Sequence, residues 1–180
     1  MIRFLFSLAL ALFAATTIGQ AQGQAPDPQN TLVIDTSKGT ILVRLRPDLA
    51  PKHVAQVKRL AREGFYNGII FHRVIAGFMA QTGDPTGTGT GGSNLPNVPA
   101  EFTQEEYTRG SVGAARSSDP DSANSQFFIC LGIACRQLKG EYTLWGEVIE
   151  GMENVDKIAR GVPPPQPDKM LKVYVLADKK

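Results

Sequence analysis

Short apolar runs separated by turn-forming residues recur along the chain and constrain its fold more than any other feature. The 180 residues include 18 glycines and 12 prolines, a content that favours many turns and short strands over a helical bundle. Apolar runs of about three to seven residues that are rich in β-branched and aromatic residues are typical of strands. They predict eight strands, at residues 32–34, 41–45, 69–75, 78–82, 111–115, 125–131, 143–149 and 171–176.

Two further segments have the signals of helices. Pro51 suits the first turn of a helix, and Gly64 ends the apolar pattern that follows it. The inward face of that helix is predicted to consist of Val54, Val57, Leu60 and Ala61. A second, shorter helix is predicted at residues 153–158, with Val155 and Ile158 inward. The chain therefore predicts a mainly β fold, a closed eight-stranded antiparallel β-barrel capped by two α-helices.

The N-terminus has the composition of a secretory signal peptide. A positive start with Arg3 precedes an apolar run at residues 4–15, which is too short to span a membrane as a stable helix. Small residues predict cleavage after Ala21, and an uncleaved membrane anchor is the alternative. We expect a periplasmic or secreted protein with no stable membrane association after cleavage. The chain would comprise a signal peptide (1–21), a flexible lead-in (22–30) and one folded domain (31–180).

Charge and cysteine content bear on partners and cofactors. The net charge of +2, with lysines and arginines scattered along the chain, gives no basis for binding nucleic acid. His53 and His72 are the only histidines, and no zinc-ligand spacing occurs, so no metal site is expected. Two alternatives stay open for Cys130 and Cys135. An oxidising compartment would permit a disulfide, whereas Cys130 also suits a strand as a small apolar residue.

Two familiar catalytic patterns can be set aside. Residues 87–92 match G-x-G-x-x-G, the dinucleotide-binding fingerprint, but that motif requires a helix directly after it. The segment 93–99 contains two prolines and cannot supply the helix. The serines lack the G-x-S-x-G elbow that presents a nucleophile, so the sequence gives no support for a hydrolase.

The strongest functional signal is Arg73, a charged residue within apolar strand sequence. Charged residues are rarely buried without a partner, so an arginine here requires a role. Alternate residues of a strand share a face, which groups Met79 with Gln81 and Phe128 with Gln126. Together they would form a shallow apolar pocket rimmed by hydrogen-bond donors. Periodicity alone leaves open whether Met79 and Phe128 line a pocket or belong to the core.

These segments resemble the cyclophilin-type peptidyl-prolyl cis–trans isomerases. The resemblance rests on residues 71–81, on Gly83-Asp84 with the glycine-rich loop after it, and on residues 125–129 and 145–148. It extends over nearly all of the chain from Thr31 onward, and residues 115–123 are similar to the bacterial branch of the family. The resemblance implies the same barrel with a helix at each end. It also implies non-covalent rotation of X–Pro bonds in proline-containing polypeptides, with no cofactor. We expect a monomer.

The resemblance further implies roles for individual residues. Arg73 corresponds to the catalytic arginine, which would donate to the prolyl nitrogen, and Gln81 to the active-site glutamine. The substrate-binding residues that it implies are Phe78, Met79, Ala115, Arg116, Gln126, Phe128, Leu138 and Tyr142. The loop at 132–140 is about one residue longer than is usual in the family, and Gln137 stands where an aromatic residue is common. Weak cyclosporin binding is therefore expected.

The sequence thus predicts a prolyl isomerase that acts on folding exported proteins. The alternative is a non-catalytic chaperone or assembly module that binds proline-containing peptides in the same groove. A barrel that holds a small apolar ligand would need an empty interior, and Phe127 and Ile129 are predicted to fill it.

Overall fold

The computed structural model describes residues 25–179, so the predicted signal peptide and its cleavage site lie outside the described residues. Eight strands are present in that part of the chain: β1 (Thr31–Thr36), β2 (Gly39–Leu45), β3 (Arg73–Ile75), β4 (Met79–Thr82), β5 (Ser111–Ala114), β6 (Phe127–Cys130), β7 (Leu144–Glu150) and β8 (Met170–Val175). The helices are α1 (Pro51–Arg62) and α2 (Met152–Asp156), with 3₁₀-helices at Pro28–Asn30, Pro120–Ser122, Ile133–Leu138 and Leu176–Asp178.

The strands form one antiparallel sheet in the order β3-β4-β6-β5-β7-β2-β1-β8. The prediction of a mainly β, eight-stranded antiparallel fold is confirmed, but the prediction of a closed barrel is wrong. β3 and β8 remain the two edges of the sheet, which curls into a half-barrel. Near the line where these edges would meet, Met170 at the start of β8 exchanges backbone hydrogen bonds with Gly68 and Ile69, and an isolated bridge joins Ile70 to Lys169.

The loop that precedes β8 explains why the barrel stays open. Val74 in β3 exchanges two backbone hydrogen bonds with Gly161, at 2.8 and 3.0 Å, and the N–H of Phe71 donates to the carbonyl oxygen of Asp168. The loop therefore pairs with β3 along this edge, and β8 pairs with β1 and not with β3. The strand predicted at residues 69–75 is accordingly reduced to its last three residues, Arg73–Ile75.

The concave side of the half-barrel contains the main hydrophobic core. The four residues predicted for the inward face of α1 are buried there, as are Val155 and Ile158, although α2 itself ends at Asp156. The ring of Phe127 packs edge-on against Tyr66 and Trp145, with centroid distances of 5.6 and 5.4 Å. Phe127 and Ile129 are both buried in this core, which argues against an interior ligand.

A carboxylate from a distant loop caps the start of α1. The N-cap residue Ala50 has no side-chain hydrogen bond to offer, and Glu101 instead accepts from the N–H groups of Lys52 and His53 at 3.1 and 3.0 Å. Nδ1 of His53 donates to the same carboxylate at 2.7 Å. Burial lowers the pKa of His53 and outweighs the attraction of Glu101. Burial raises the pKa of Glu101, but these hydrogen bonds hold it below its ordinary value.

The two cysteines form a disulfide, which decides between the alternatives left open by the sequence. Cys130 ends β6, and Cys135 lies within the 3₁₀-helix Ile133–Leu138. Both cysteines are fully buried. The bond therefore fixes the segment that carries Leu138 to the end of a central strand.

Removal of this disulfide is expected to weaken the fold. A cross-link between residues only five apart in sequence restricts the unfolded chain by about 2 kcal/mol. The double variant Cys130→Ala, Cys135→Ala should lose about that much free energy of unfolding in a urea titration. The parent protein should lose a similar amount when a thiol reductant is added, and the double variant should not respond to it. Equal stability of the parent with and without reductant would contradict the prediction.

Loss of the Glu101 cap should reduce stability and change its dependence on pH. The folded-state pKa values of His53 and Glu101 both lie below their ordinary values of 6.5 and 4.5, so the unfolded chain binds more protons. Their contribution to stability is present above pH 6.5 and falls as the pH is lowered. Glu101→Gln should cost about 1–2 kcal/mol at pH 7. Below pH 4.5 the pH dependence that comes from Glu101 itself should disappear, whereas between pH 6.5 and 4.5 the loss of stability should become steeper, because burial lowers the pKa of His53 further once the attraction of Glu101 is gone. Urea unfolding between pH 3 and pH 8 measures both effects.

Glu63→Gln provides the matched control, since the Glu63 carboxylate at the C-terminal end of α1 is exposed and pairs with Arg59. Its removal should change the free energy of unfolding by less than about 1 kcal/mol. Equal losses in the two variants would show that Glu101 is not a specific cap.

Candidate active site

A second, smaller group of apolar side chains packs on the convex face of the sheet. We call this group the outer cluster; it comprises Met79, Tyr107, Phe128, Cys130, Cys135, Leu138 and Leu144. The pairing of β4 with β6 places Gln81 opposite Phe128 and Met79 opposite Cys130. The two faces predicted for these strands are therefore confirmed, since Phe127 and Ile129 lie in the main core and Phe128 lies in the outer cluster.

A cavity of about 180 Å³ opens over the outer cluster, and nine of the ten predicted site residues line it: Arg73, Phe78, Met79, Gln81, Ala115, Arg116, Phe128, Leu138 and Tyr142. The tenth residue, Gln126, lines an adjoining groove of about 350 Å³. The groove shares Gln81, Ala115 and Arg116 with the cavity. The structure thus brings all ten predicted site residues to one surface.

Aromatic rings form the floor and one wall of this cavity. The ring of Phe128 stacks on Tyr107 at a centroid distance of 5.9 Å and meets Tyr142 edge-on at 5.8 Å. Gly113 lies opposite Phe128 in the sheet, and a Cβ atom there would approach the Phe128 ring to 2.4 Å. Met79 and Phe128 are therefore buried in the outer cluster and at the same time line the cavity. Both interpretations left open by periodicity, core residue and pocket residue, apply to them. No sequence pattern indicated that Tyr107 and Gly113 would contribute to the site.

Arg73 lies at the rim of the cavity and is half-buried. Its Nη1 atom lies 3.3 Å from Oε1 of Gln81 and 3.8 Å from the sulfur of Met79, and its Cζ atom lies 5.9 Å from the centroid of the Phe78 ring. No carboxylate of residues 25–179 pairs with it. The guanidinium therefore presents an uncompensated positive charge and spare N–H donors beside an apolar surface.

Two glutamines connect Arg73 with the glycine-rich loop. Nε2 of Gln81 donates to Oε1 of Gln126 at 2.9 Å. Nε2 of Gln126 donates in turn to the carbonyl oxygens of Gly89 and Gly91, at 3.0 and 2.8 Å. Gln81 and Gln126 are therefore held in fixed orientations at the boundary between the cavity and the groove. We call this series of hydrogen bonds the glutamine relay.

Arg116 supports the opposite wall. Its Cζ atom lies 4.5 Å from the centroid of the Tyr142 ring, within the range of a cation–π contact. Its guanidinium donates to the carbonyl oxygens of Glu141 and Ser117. Because these bonds use most of its donors, Arg116 ties two loops together and holds Tyr142 beside the cavity.

The longer loop at residues 132–140 also contributes to the cavity. Leu138 is buried and lines it, whereas the neighbouring Gln137 is exposed to solvent. Within the described part of the chain, no group of three or more histidine, cysteine and acidic side chains is arranged to hold a metal ion. None of the helices there is both long and apolar enough to cross a bilayer.

The sequence of this chain is closely related to those of known isomerases. The sequence model of the family described as "Cyclophilin type peptidyl-prolyl cis-trans isomerase/CLD" matches residues 31–175. A Brucella suis protein named "Probable peptidyl-prolyl cis-trans isomerase" is 50% identical over 191 aligned positions, which cover 97% of this chain and 97% of that protein. A Helicobacter pylori protein named "Peptidyl-prolyl cis-trans isomerase" is 43% identical over 131 positions, which cover 71% of this chain and 79% of that protein.

Solved structures show the same relationship. A cyclophilin from Hirschia baltica superposes with a TM-score of 0.77 at 29% identity, over 86% of this chain and 77% of that chain. A cyclophilin-type isomerase from Cryptosporidium parvum, crystallised in the presence of the dipeptide Ala-Pro, superposes with a TM-score of 0.74 at 30% identity. That match covers 81% of this chain and 98% of the other. The chain therefore belongs to the cyclophilin-type peptidyl-prolyl cis–trans isomerases, the family of enzymes that residues 71–81 and 125–129 indicate.

Proposed function

We propose that this enzyme accelerates the rotation of X–Pro bonds in exported proteins as they fold, with Arg73 donating a hydrogen bond to the prolyl nitrogen. The observation that carries the proposal is the guanidinium of Arg73, which pairs with no carboxylate of residues 25–179 and lies at the rim of an apolar cavity of about 180 Å³. The cavity would hold the proline ring. The cation would face the amide that rotates.

The proposed mechanism follows from the electronic structure of the amide. Rotation is slow because the nitrogen lone pair is delocalised into the carbonyl group, which creates a barrier of about 18–20 kcal/mol. As the bond twists, the lone pair returns to the nitrogen, which can then accept a hydrogen bond. A donor aimed at this atom is worth most in the twisted state, and an interaction that strengthens in the transition state accelerates the reaction. The planar, permanently charged guanidinium of Arg73 suits this role.

We assign substrate binding to the apolar residues of the cavity. Phe78, Met79, Phe128 and Leu138 would hold the proline ring, and Tyr142 would close one side of the cavity. The Cryptosporidium parvum structure with Ala-Pro supports proline-containing peptides as the substrate class.

Export is supported by the sequence and by the disulfide. Residues 1–21 have the composition of a signal peptide, and Cys130 is bonded to Cys135. Disulfides persist in oxidising compartments and are rare in the cytosol. Uncatalysed prolyl isomerisation takes about 10–100 s at room temperature, so proteins that fold after export would benefit from an isomerase in the same compartment.

Replacement of Arg73 should remove most of the catalysis. We expect Arg73→Ala to lower kcat/KM for a proline-containing peptide by about 10²-fold or more, through kcat rather than KM. The measurement is a protease-coupled assay on a short Ala-Pro peptide, with peptide binding followed separately by NMR titration. Arg59→Ala is the control, because Arg59 is an exposed residue of α1 whose side chain pairs with Glu63. Undiminished turnover in Arg73→Ala would refute the proposed role.

The same assay distinguishes the enzyme from a peptide-binding module. A module of that kind would bind the peptide at the cavity without accelerating its isomerisation. Because the assay compares the parent protein with the uncatalysed rate, peptide binding without any acceleration would favour the chaperone function over the isomerase.

The N-terminal segment should direct export and be removed. Residues 1–30 can be fused to a reporter enzyme that is active only outside the cytoplasm. We expect this fusion to be active and its exported form to begin at Gln22. N-terminal sequencing of the exported product measures the cleavage site. Leu8→Arg places a charge in the apolar run and should abolish the signal. Reporter activity that is equally high with Leu8→Arg would argue against a signal peptide.

A further inference from the structure

A buried carboxylate lies beneath the glycine-rich loop and has no part in the function proposed above. Asp84 is 1% exposed and accepts hydrogen bonds from the N–H groups of Thr86, Thr88, Gly89 and Gly91. The hydroxyl of Thr86 donates to it as well, at 2.8 Å. Burial raises the pKa of Asp84, but these donors outweigh it and lower the pKa to about 2. The side chain is therefore ionised at neutral pH and acts as the acceptor around which the loop is arranged.

The loop is fitted closely to this carboxylate. A Cβ atom at Gly91 would lie 2.2 Å from Oδ1 of Asp84, so no larger residue fits there without displacing the carboxylate or the loop. No lysine or arginine within residues 25–179 forms an ion pair with Asp84. Backbone amides rather than a cation therefore stabilise its charge.

Two residues of the loop contact both Asp84 and the glutamine relay. The N–H groups of Gly89 and Gly91 point inward to Asp84, and their carbonyl oxygens point outward and accept from Nε2 of Gln126. The hydrogen bonds from the N–H groups of Gly89 and Gly91 to Asp84 therefore also fix the positions of the carbonyl oxygens of these two glycines, which we call the carbonyl pair. A change at Asp84 would move the acceptors of Gln126.

The carbonyl pair sets the direction of every hydrogen bond in the relay. Carbonyl oxygens only accept, so the amide nitrogen of Gln126 must face the loop and its oxygen must face Gln81. Gln81 must then donate to Gln126 with its own amide nitrogen and turn its oxygen to Arg73. A guanidinium only donates, so Arg73 requires the same orientation. The carbonyl pair and Arg73 therefore require the same orientation of both glutamines, and all hydrogen bonds of the relay have one consistent direction.

We propose that Asp84 is a positioning residue for Arg73: it fixes the carbonyl groups of Gly89 and Gly91, which orient Gln126, Gln81 and finally the guanidinium. This inference rests on the catalytic role proposed for Arg73. Asp84 contacts neither the cavity nor a substrate in the cavity, and its effect on turnover passes through the relay. A misplacement of about 1 Å in a catalytic group can cost up to 10²-fold in rate.

Asp84→Asn tests the proposal with little change in size. The amide group replaces one acceptor oxygen by a donor, which opposes the N–H groups of the loop. We expect kcat to fall about tenfold or more, with a smaller change in KM, at a temperature where the variant is fully folded. Asp168→Asn is the matched control: Asp168 is also a buried carboxylate, but it accepts from Ser37 and the N–H of Ala159, outside the cavity and the groove. The control should be destabilised and keep its kcat.

A double-mutant cycle separates positioning from general destabilisation. If Asp84 acts through the relay, Asp84→Asn should change kcat less than twofold in a Gln126→Ala background, because the connection is already broken. Asp168→Asn should have the same small effect on kcat in both backgrounds. Additive losses for Asp84→Asn and Gln126→Ala would overturn the proposal.

An NMR measurement tests the positioning separately from the catalytic role of Arg73. The side-chain Nε–Hε resonance of Arg73, assigned by its loss in Arg73→Ala, should shift in Asp84→Asn and in Gln126→Ala and stay in place in Asp168→Asn. If Asp84→Asn does not fold, Gly91→Ala replaces it, since its Cβ would displace the same loop. An unmoved Arg73 resonance overturns the positioning role. A shifted resonance with full activity in Arg73→Ala would instead overturn the proposed function.

Discussion

Antiparallel pairing of β4 with β6 places Gln81 opposite Phe128 and Met79 opposite Cys130. Because side chains alternate between the faces of a sheet, this register sends Ala80 and Ile129 into the main core and the other four residues to the convex face. A slip of one residue would exchange the two sets. On the concave side this register buries Phe127 and Ile129 in the larger of the two clusters. The residues that line the cavity are therefore placed by the same register that fills the main core.

The outer cluster is small, and three further interactions hold its residues in place. The disulfide fixes the 3₁₀-helix Ile133–Leu138 to the end of β6, which brings Leu138 over the sheet. Arg116 fastens the loop that carries Tyr142. Gly113 leaves space for the ring of Phe128 to lie flat across β5. A covalent bond, a set of charge-assisted hydrogen bonds and a missing side chain thus give the cavity its shape.

The positions of the eight strands and of α1 could be predicted because each depends on a local pattern: alternation, proline at a helix start, glycine at its end. The outward faces of Met79 and Phe128 followed from the same alternation. Closure of the barrel could not be predicted, because it depends on whether the loop at Gly161 or strand β8 pairs with β3. Capping of α1 by Glu101 also escaped prediction, since it joins residues 48 apart. Local patterns carry no information about such distant partners.

Within the described part of the chain, no carboxylate pairs with Arg73, and this fits the chemistry proposed for it. A glutamate in place of Gln81 would satisfy the same hydrogen bond but would form an ion pair, and the paired guanidinium would be a weaker donor to a prolyl nitrogen. A glutamine orients the guanidinium without neutralising its charge. The relay ends on the carbonyl groups of Gly89 and Gly91, whose N–H groups donate to Asp84. The negative charge of Asp84 is therefore separated from Arg73 by two neutral side chains and the loop backbone, and backbone amides stabilise it. The arrangement therefore gives Arg73 a fixed orientation and leaves its charge free for the rotating amide.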